Sequence, residues 1–214
     1  MYRLCFQKGT ASFGPQAVLE EAKLPYELVS VDTSTGEHRR PDYLAINPLG
    51  LVPALVTPQG ETLYESAAIL LYLADRHHVE DLAPPVDDPL RGLFYRSLFY
   101  LSKTVQTAYK RFHYPERFSS DPGDAPCIKA KAVDDLVAGW RAVDVQLAAT
   151  GPYHLGARFS LADIYLVMLA TWFDPPEELR RLFPAVANCF DLVAKRPAIR
   201  RCLERQDALS VGKT

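Results

Sequence analysis

Every strand signal in this chain lies before residue 65, and everything beyond about residue 90 reads as helix. Residues 2–6 form a short apolar strand pattern, and Ala17-Val18-Leu19 with Ala22 and Leu24 suits a helix that Pro25 stops. Tyr26 to Val31 alternates apolar and polar residues, a strand signal. Ala54-Leu55-Val56 and Thr62-Leu63-Tyr64 flank the turn Pro58-Gln59-Gly60 with the spacing of a hairpin. The run Ala67-Ala68-Ile69-Leu70-Leu71-Tyr72-Leu73-Ala74 then suits a helix packed on a sheet, ending near His77. A β-α-β unit implies parallel strands joined by a right-handed crossover, to which the hairpin adds antiparallel pairing. The expected result is an α+β half with a mixed four-stranded sheet, in βαβ-ββα order, over residues 1–80.

Ala83-Pro84-Pro85 and Asp87-Asp88-Pro89 mark residues 81–88 as a linker. Residues 89–214 are expected to be all-helical. A long aromatic-rich helix runs from Leu90 to about Phe112, and shorter ones follow at about 125–149, 161–173, 177–183, 185–195 and 198–206. A chain of 214 residues, 48% apolar and 23% charged, can bury the cores of two domains of unequal size. The formal net charge of -2 gives no field that would draw nucleic acid, and no apolar run reaches membrane-spanning length. Met1-Tyr2-Arg3-Leu4 lacks the pattern of a secretory leader, so a cytoplasmic protein is expected. Cys5, Cys127, Cys189 and Cys202 have no zinc or redox spacing; no metal is expected, and Cys5 reads as a buried small hydrophobe.

Two motifs carry chemistry. Val52-Pro53 stands immediately before a strand, where proline has no N–H to give. A cis bond there would turn the chain sharply and leave the Val52 main chain facing outward, able to pair with an extended peptide; an ordinary trans proline is the other reading. Thirteen residues on, Ser66 suits an N-cap, and the free N–H groups of a helix start favour an anion. Glu65 beside it supplies a carboxylate. Together they would receive an α-amino acid, its carboxylate at Ser66 and its ammonium at Glu65. The alternative is a simple cap beside a solvated glutamate.

As an ordered set these motifs resemble the glutathione transferase superfamily. Gly36-Glu37-His38 through Asp42-Tyr43-Leu44-Ala45-Ile46-Asn47-Pro48 is similar to the loop before the cis-proline in its theta-, delta- and bacterial-type members. Phe159-Ser160-Leu161-Ala162-Asp163-Ile164 is similar to their helical folding motif, in which Ser160 and Asp163 make a variant capping box. The resemblance spans residues 2 to about 205. It implies a thioredoxin-like N-terminal domain that binds glutathione as co-substrate, an all-α C-terminal domain holding the second substrate, and a homodimer. It further implies that Val52, before Pro53, pairs with the cysteinyl part of glutathione. Glu65 and Ser66 would hold its γ-glutamyl end, and His38, helped by Arg39, its glycine carboxylate.

The family stabilises the glutathione thiolate with a hydroxyl or thiol just after the first strand. Here that loop is Gln7-Lys8-Gly9-Thr10-Ala11-Ser12-Phe13. The beta-class cysteine would fall at Ala11, and the strand end Cys5-Phe6-Gln7 offers no tyrosine. The remaining donors are Ser12, slightly preferred, and Thr10, with a backbone N–H as a third choice. The second substrate, a mostly apolar electrophile, would lie against the long helix near Tyr100, Lys103, Thr104, Thr107 and Tyr109. The implied reaction is conjugation, or reduction of a peroxide or disulfide. The same fold also serves as an interaction module or as a carrier of apolar ligands.

Overall fold

The computed structural model describes residues 1–206. By their contacts these form two compact units, Met1–Pro85 with the described residues from Val193 on, and Val86–Leu192.

In the first unit, β1 (Tyr2–Phe6), α1 (Phe13–Glu21) and β2 (Tyr26–Ser30) form the crossover unit. After a 3-10 turn at Glu37–Arg39 and the short α2 (Pro41–Leu44) come β3 (Ala54–Val56), β4 (Thr62–Tyr64) and α3 (Ser66–Arg76). The sheet order is β2-β1-β3-β4. β1 and β2 are parallel, and the other two pairings are antiparallel. Leu4 and Leu55 from the sheet, Val18 and Leu19 from α1, and Ile69, Leu70 and Leu73 from α3 are fully buried. Apolar burial of this kind contributes about 1.5–3 kcal/mol per large side chain.

The expected all-helical stretch 89–214 differs in its allegiance at the end. α10 (Pro197–Arg205) packs on α1, so it belongs with the sheet. Ile199, Cys202 and Leu203 on its apolar face are buried. Its polar face reaches two acidic residues of α1: Arg196 is bidentate to Glu21 at 2.8 Å, and Arg201 and Arg205 each lie 2.8 Å from Glu20. Residues 207–214 lie outside the described residues.

The second unit is helical: α4 (Arg91–Tyr100), α5 (Gln106–His113), α6 (Ala125–Thr150), α7 (Leu161–Ala170), α8 (Pro176–Leu182), and most of α9 (Pro184–Ala194). The long helix that the sequence predicts from Leu90 to about Phe112 is present as continuous helical chain from Arg91 to His113, but its middle, Leu101–Val105, is a π-helical turn that sequence periodicity does not reveal. All ten residues of α7 are buried, as expected of a helix apolar all round. No helix among the described residues is long and apolar enough to cross a membrane.

Candidate functional site

Sheet register gathers the sequence motifs at one end of the first unit. Cys5 of β1 pairs with Ala54 of β3, and Ala54 pairs with Tyr64 of β4. The strands run alternately, so the chain leaving β1 at Gln7, the chain entering β3 through Val52-Pro53, and the chain leaving β4 at Glu65 all lie beyond the same edge. Parallel pairing of Phe6 with Ser30 brings the start of the 31–39 loop there too.

The Val52-Pro53 peptide bond is cis. Val52 packs with Ile46 and Val29 on a small buried cluster of Cys5, Val31, Tyr43 and Ala54. Just upstream, the Leu51 carbonyl accepts two hydrogen bonds, from the Tyr43 hydroxyl at 2.6 Å and from Asn47 Nδ2 at 2.7 Å. Asn47 Oδ1 in turn accepts from the Leu49 N–H at 3.1 Å. Both side chains are buried, and burial pushes the Tyr43 phenol well above its ordinary range, so it keeps the proton it donates to Leu51. Leu49 and Leu51 are exposed. The Val52 main chain is thus held between a packed side chain and a doubly anchored carbonyl, before the ladder begins at Ala54.

Gly50 (φ +60°) sets a second close approach. A Cβ there would stand 2.8 Å from the His38 carbonyl oxygen and 3.0 Å from Arg39 Nη1, so only glycine lets the Glu37–Arg39 turn lie against the residues before Val52. His38 in that turn is half-buried and Arg39 exposed. Sequence reading missed Tyr43, Asn47 and Gly50 as supports; a glycine one step before an apolar residue gives no local sign of what will touch it.

Ser66 departs from its expected position. β4 ends at Tyr64 and α3 begins at Ser66, so a single residue turns the chain from strand to helix. That residue is Glu65, which occupies the N-cap position with φ +68° and ψ 108° and makes no side-chain cap bond. A non-glycine residue held there costs of order 1–3 kcal/mol. Ser66 is therefore the first helical residue, not the cap. It is buried, whereas the Glu65 side chain is exposed at the site.

The loop after β1 is closed by its own hydroxyls. Thr10 Oγ1 donates to the Gln7 carbonyl at 2.7 Å, and Ser12 Oγ donates to the same oxygen at 2.9 Å. The two hydroxyl oxygens are 2.9 Å apart. Gln7 Oε1 accepts from the Thr33 N–H at 3.0 Å, tying this loop to the next. Ser12 stands before α1 without capping it, because its hydroxyl points back to Gln7. Ser12 is fully buried, whereas Thr10 is half-exposed. The sequence preference for Ser12 over Thr10 thus meets an inward-facing hydroxyl. Cys5 is buried and its thiol is pushed up by that burial, which leaves it a packing residue.

In the second unit, α4, the π turn and α5 meet α6 along an open groove of about 380 Å³. Tyr100, Lys103, Thr104 and Thr107, all expected near a second substrate, line one wall with Arg111. Asp135, Ala138 and Gly139 of α6 form the other. Gly139 closes up against the turn: a Cβ there would meet Val105 Cγ2 at 3.3 Å. Tyr109, the fifth expected residue, is instead buried with its hydroxyl accepting from Trp140 Nε1 at 3.1 Å, and so packs the interior.

The sequence matches two family models, "Glutathione S-transferase, N-terminal domain" over residues 12–76 and "Glutathione S-transferase, C-terminal domain" over residues 106–205. It is 30% identical to the uncharacterized GST-like protein YncG of Escherichia coli K12, over 94% of this chain and 96% of that protein. A crystal structure of a glutathione transferase homologue from Sulfitobacter with bound glutathione superposes with a TM-score of 0.88 at 31% identity, over 96% of this chain and 98% of that one. A sphingomonad glutathione S-transferase complexed with glutathione superposes with a TM-score of 0.80, also at 31% identity and with the same coverage.

Proposed function

The chain belongs to the glutathione S-transferase family, with its thioredoxin-like sheet domain and helical domain, and from that premise we propose that it binds glutathione at the sheet edge as the thiolate and directs it at an electrophilic small molecule. The observation that carries this reading is the convergence of Gln7–Ser12, Val52-cis-Pro53 and Glu65-Ser66 beyond one edge of the sheet. An extended tripeptide would pair with the Val52 main chain as an added strand. Its γ-glutamyl ammonium would meet the Glu65 carboxylate, and its α-carboxylate the N-terminus of α3 at Ser66. His38 and Arg39 would receive the glycine carboxylate.

Thr10 is the favoured thiolate donor, because it is the more exposed of the two hydroxyls. When Thr10 turns to the sulfur, the Gln7 carbonyl keeps the Ser12 hydroxyl as its donor. Ser12 then acts as the support that lets Thr10 move. A free thiol has a pKa of about 8.5, and each unit of lowering corresponds to about 1.4 kcal/mol. The glutathione proton leaves to solvent, sulfur bonds to the electrophilic atom, and the displaced group departs with its electron pair. Reduction of a peroxide or disulfide by the same thiolate is the related chemistry. A cytoplasmic homodimer completes the reading, and light scattering on the purified chain checks the dimer.

Calorimetric titration of glutathione in two buffers of different ionisation enthalpy tests the proposal. Binding with proton release near neutral pH is the expected result. No binding at millimolar glutathione would sink the proposal and leave an interaction module on this scaffold.

A further inference from the structure

The groove between α4–α5 and α6 is lined by polar groups where the sequence predicts a mostly apolar pocket. Three hydroxyls face it, from Tyr100, Thr104 and Thr107, and beside them stand two cations and one anion. The anion is already neutralised: Asp135 accepts from Arg111 Nη2 at 2.7 Å and also takes an ammonium contact from Lys131, which stands one helical turn away and does not line the groove. Lys103 has no ion-pair partner among the described residues. It stands on the π turn and is exposed. Arg111 Nε is shielded from solvent and has no acceptor among the described residues. A shielded N–H without an acceptor is uncommon in a folded protein, and a ligand oxygen would supply one.

A groove with one uncompensated ammonium, an orphan guanidinium N–H and several hydroxyls is complementary to an anion rich in acceptor oxygens. The Tyr100 hydroxyl already donates to the Gly139 carbonyl at 3.5 Å, but an apolar ligand would desolvate the exposed Lys103 ammonium and Thr104 hydroxyl and leave the Arg111 N–H without an acceptor. We infer that this groove selects second substrates that carry a carboxylate, with Lys103 as the residue that discriminates by charge. The inference rests on the proposed transferase function for the chemistry, but its binding test does not.

The probes are 4-chloro-3-nitrobenzoate and its neutral counterpart 4-chloro-3-nitrobenzamide. In the reaction the glutathione sulfur would bond to the chlorine-bearing carbon and chloride would leave with the bonding pair. Binding of each probe to the full chain is first measured by equilibrium dialysis without glutathione. The benzoate is expected to bind about fivefold more tightly than the amide at low salt, the scale of an exposed ion pair, with the preference shrinking at high salt. Lys103→Gln is expected to abolish the preference and Lys103→Arg to restore it. Equal affinities, a preference that survives Lys103→Gln, or no binding of either probe would each overturn the inference. Glutathione titration separately tests the sheet-edge site, so a chain that prefers the benzoate but binds no glutathione would sink the transferase reading and leave the carboxylate groove standing.

Discussion

The starts of α3 and α7 are built from similar residues to opposite ends. Each pairs a serine with an acidic residue, and both serines read as caps in the sequence. At α7 the pair folds inward. Ser160 and Asp163 form a capping box, and Asp163 Oδ2 accepts from the Ser160 N–H at 2.8 Å and its hydroxyl at 3.0 Å. Asp163 Oδ1 accepts from the His154 N–H at 2.9 Å and faces His154 Nδ1 at 2.8 Å. Every one of these groups is buried. At α3 the acidic residue precedes the serine, occupies a costly backbone conformation, caps nothing and stays exposed. A helix start that satisfies its own donors is a structural joint, whereas one that leaves its carboxylate outward is available to a ligand.

The largest test of that contrast is Asp163→Ala. It strands buried donors on Ser160 and His154 and is expected to lower stability by about 3–5 kcal/mol, read as a fall in the urea midpoint at unchanged slope. Glutathione affinity per folded molecule should be retained; a large loss of affinity would mean that the two helix starts are not separable. Glu65→Gln should do the converse. Loss of a charge-assisted contact is expected to weaken glutathione binding by about ten- to a hundredfold, with the unfolding midpoint nearly unchanged. If Glu65→Gln destabilises the protein and leaves binding intact, Glu65 is a structural residue after all.

A third helix start sharpens the comparison. Ser12 precedes α1 but spends its hydroxyl on Gln7. Thr10→Val is expected to raise the pKa of bound glutathione by about one unit, seen as a weaker thiolate absorbance at pH 7. Ser12→Ala should instead lower stability by about 1 kcal/mol and change the thiolate signal less. The reverse ranking would return the catalytic role to Ser12. A last test is Glu65→Gly, which relieves the positive φ and, net of glycine's greater unfolded-state entropy, should recover about 0.5–2 kcal/mol of stability against Glu65→Ala.

Much of the first unit was legible because its signals are local. Alternation marked β2, the turn Pro58-Gln59-Gly60 marked the hairpin, and β3 and β4 fall where the sequence predicts them. The capping box was legible for the same reason, since Ser160 and Asp163 are one turn apart. The π turn was not, because Leu101–Val105 carries no glycine or proline to mark a change of helix type.

Sequence alone determined the order of the elements, the family, and the motifs Val52-Pro53 and Glu65-Ser66, all of which depend on residues close together in the chain. Only the tertiary structure decided which serine caps, which hydroxyl faces outward, and where the last helix docks. Those outcomes depend on how each loop closes and on which distant element docks: Ser12 turns inward because the Gln7 carbonyl in the same loop receives it, Leu51 is fixed by Tyr43 and Asn47 of the preceding turn, and the α10 segment reaches back across the chain to Glu20 and Glu21. A side chain's role is set by the hydrogen-bond partners the fold brings to it, and local sequence does not encode which of several donors and acceptors will be satisfied from elsewhere.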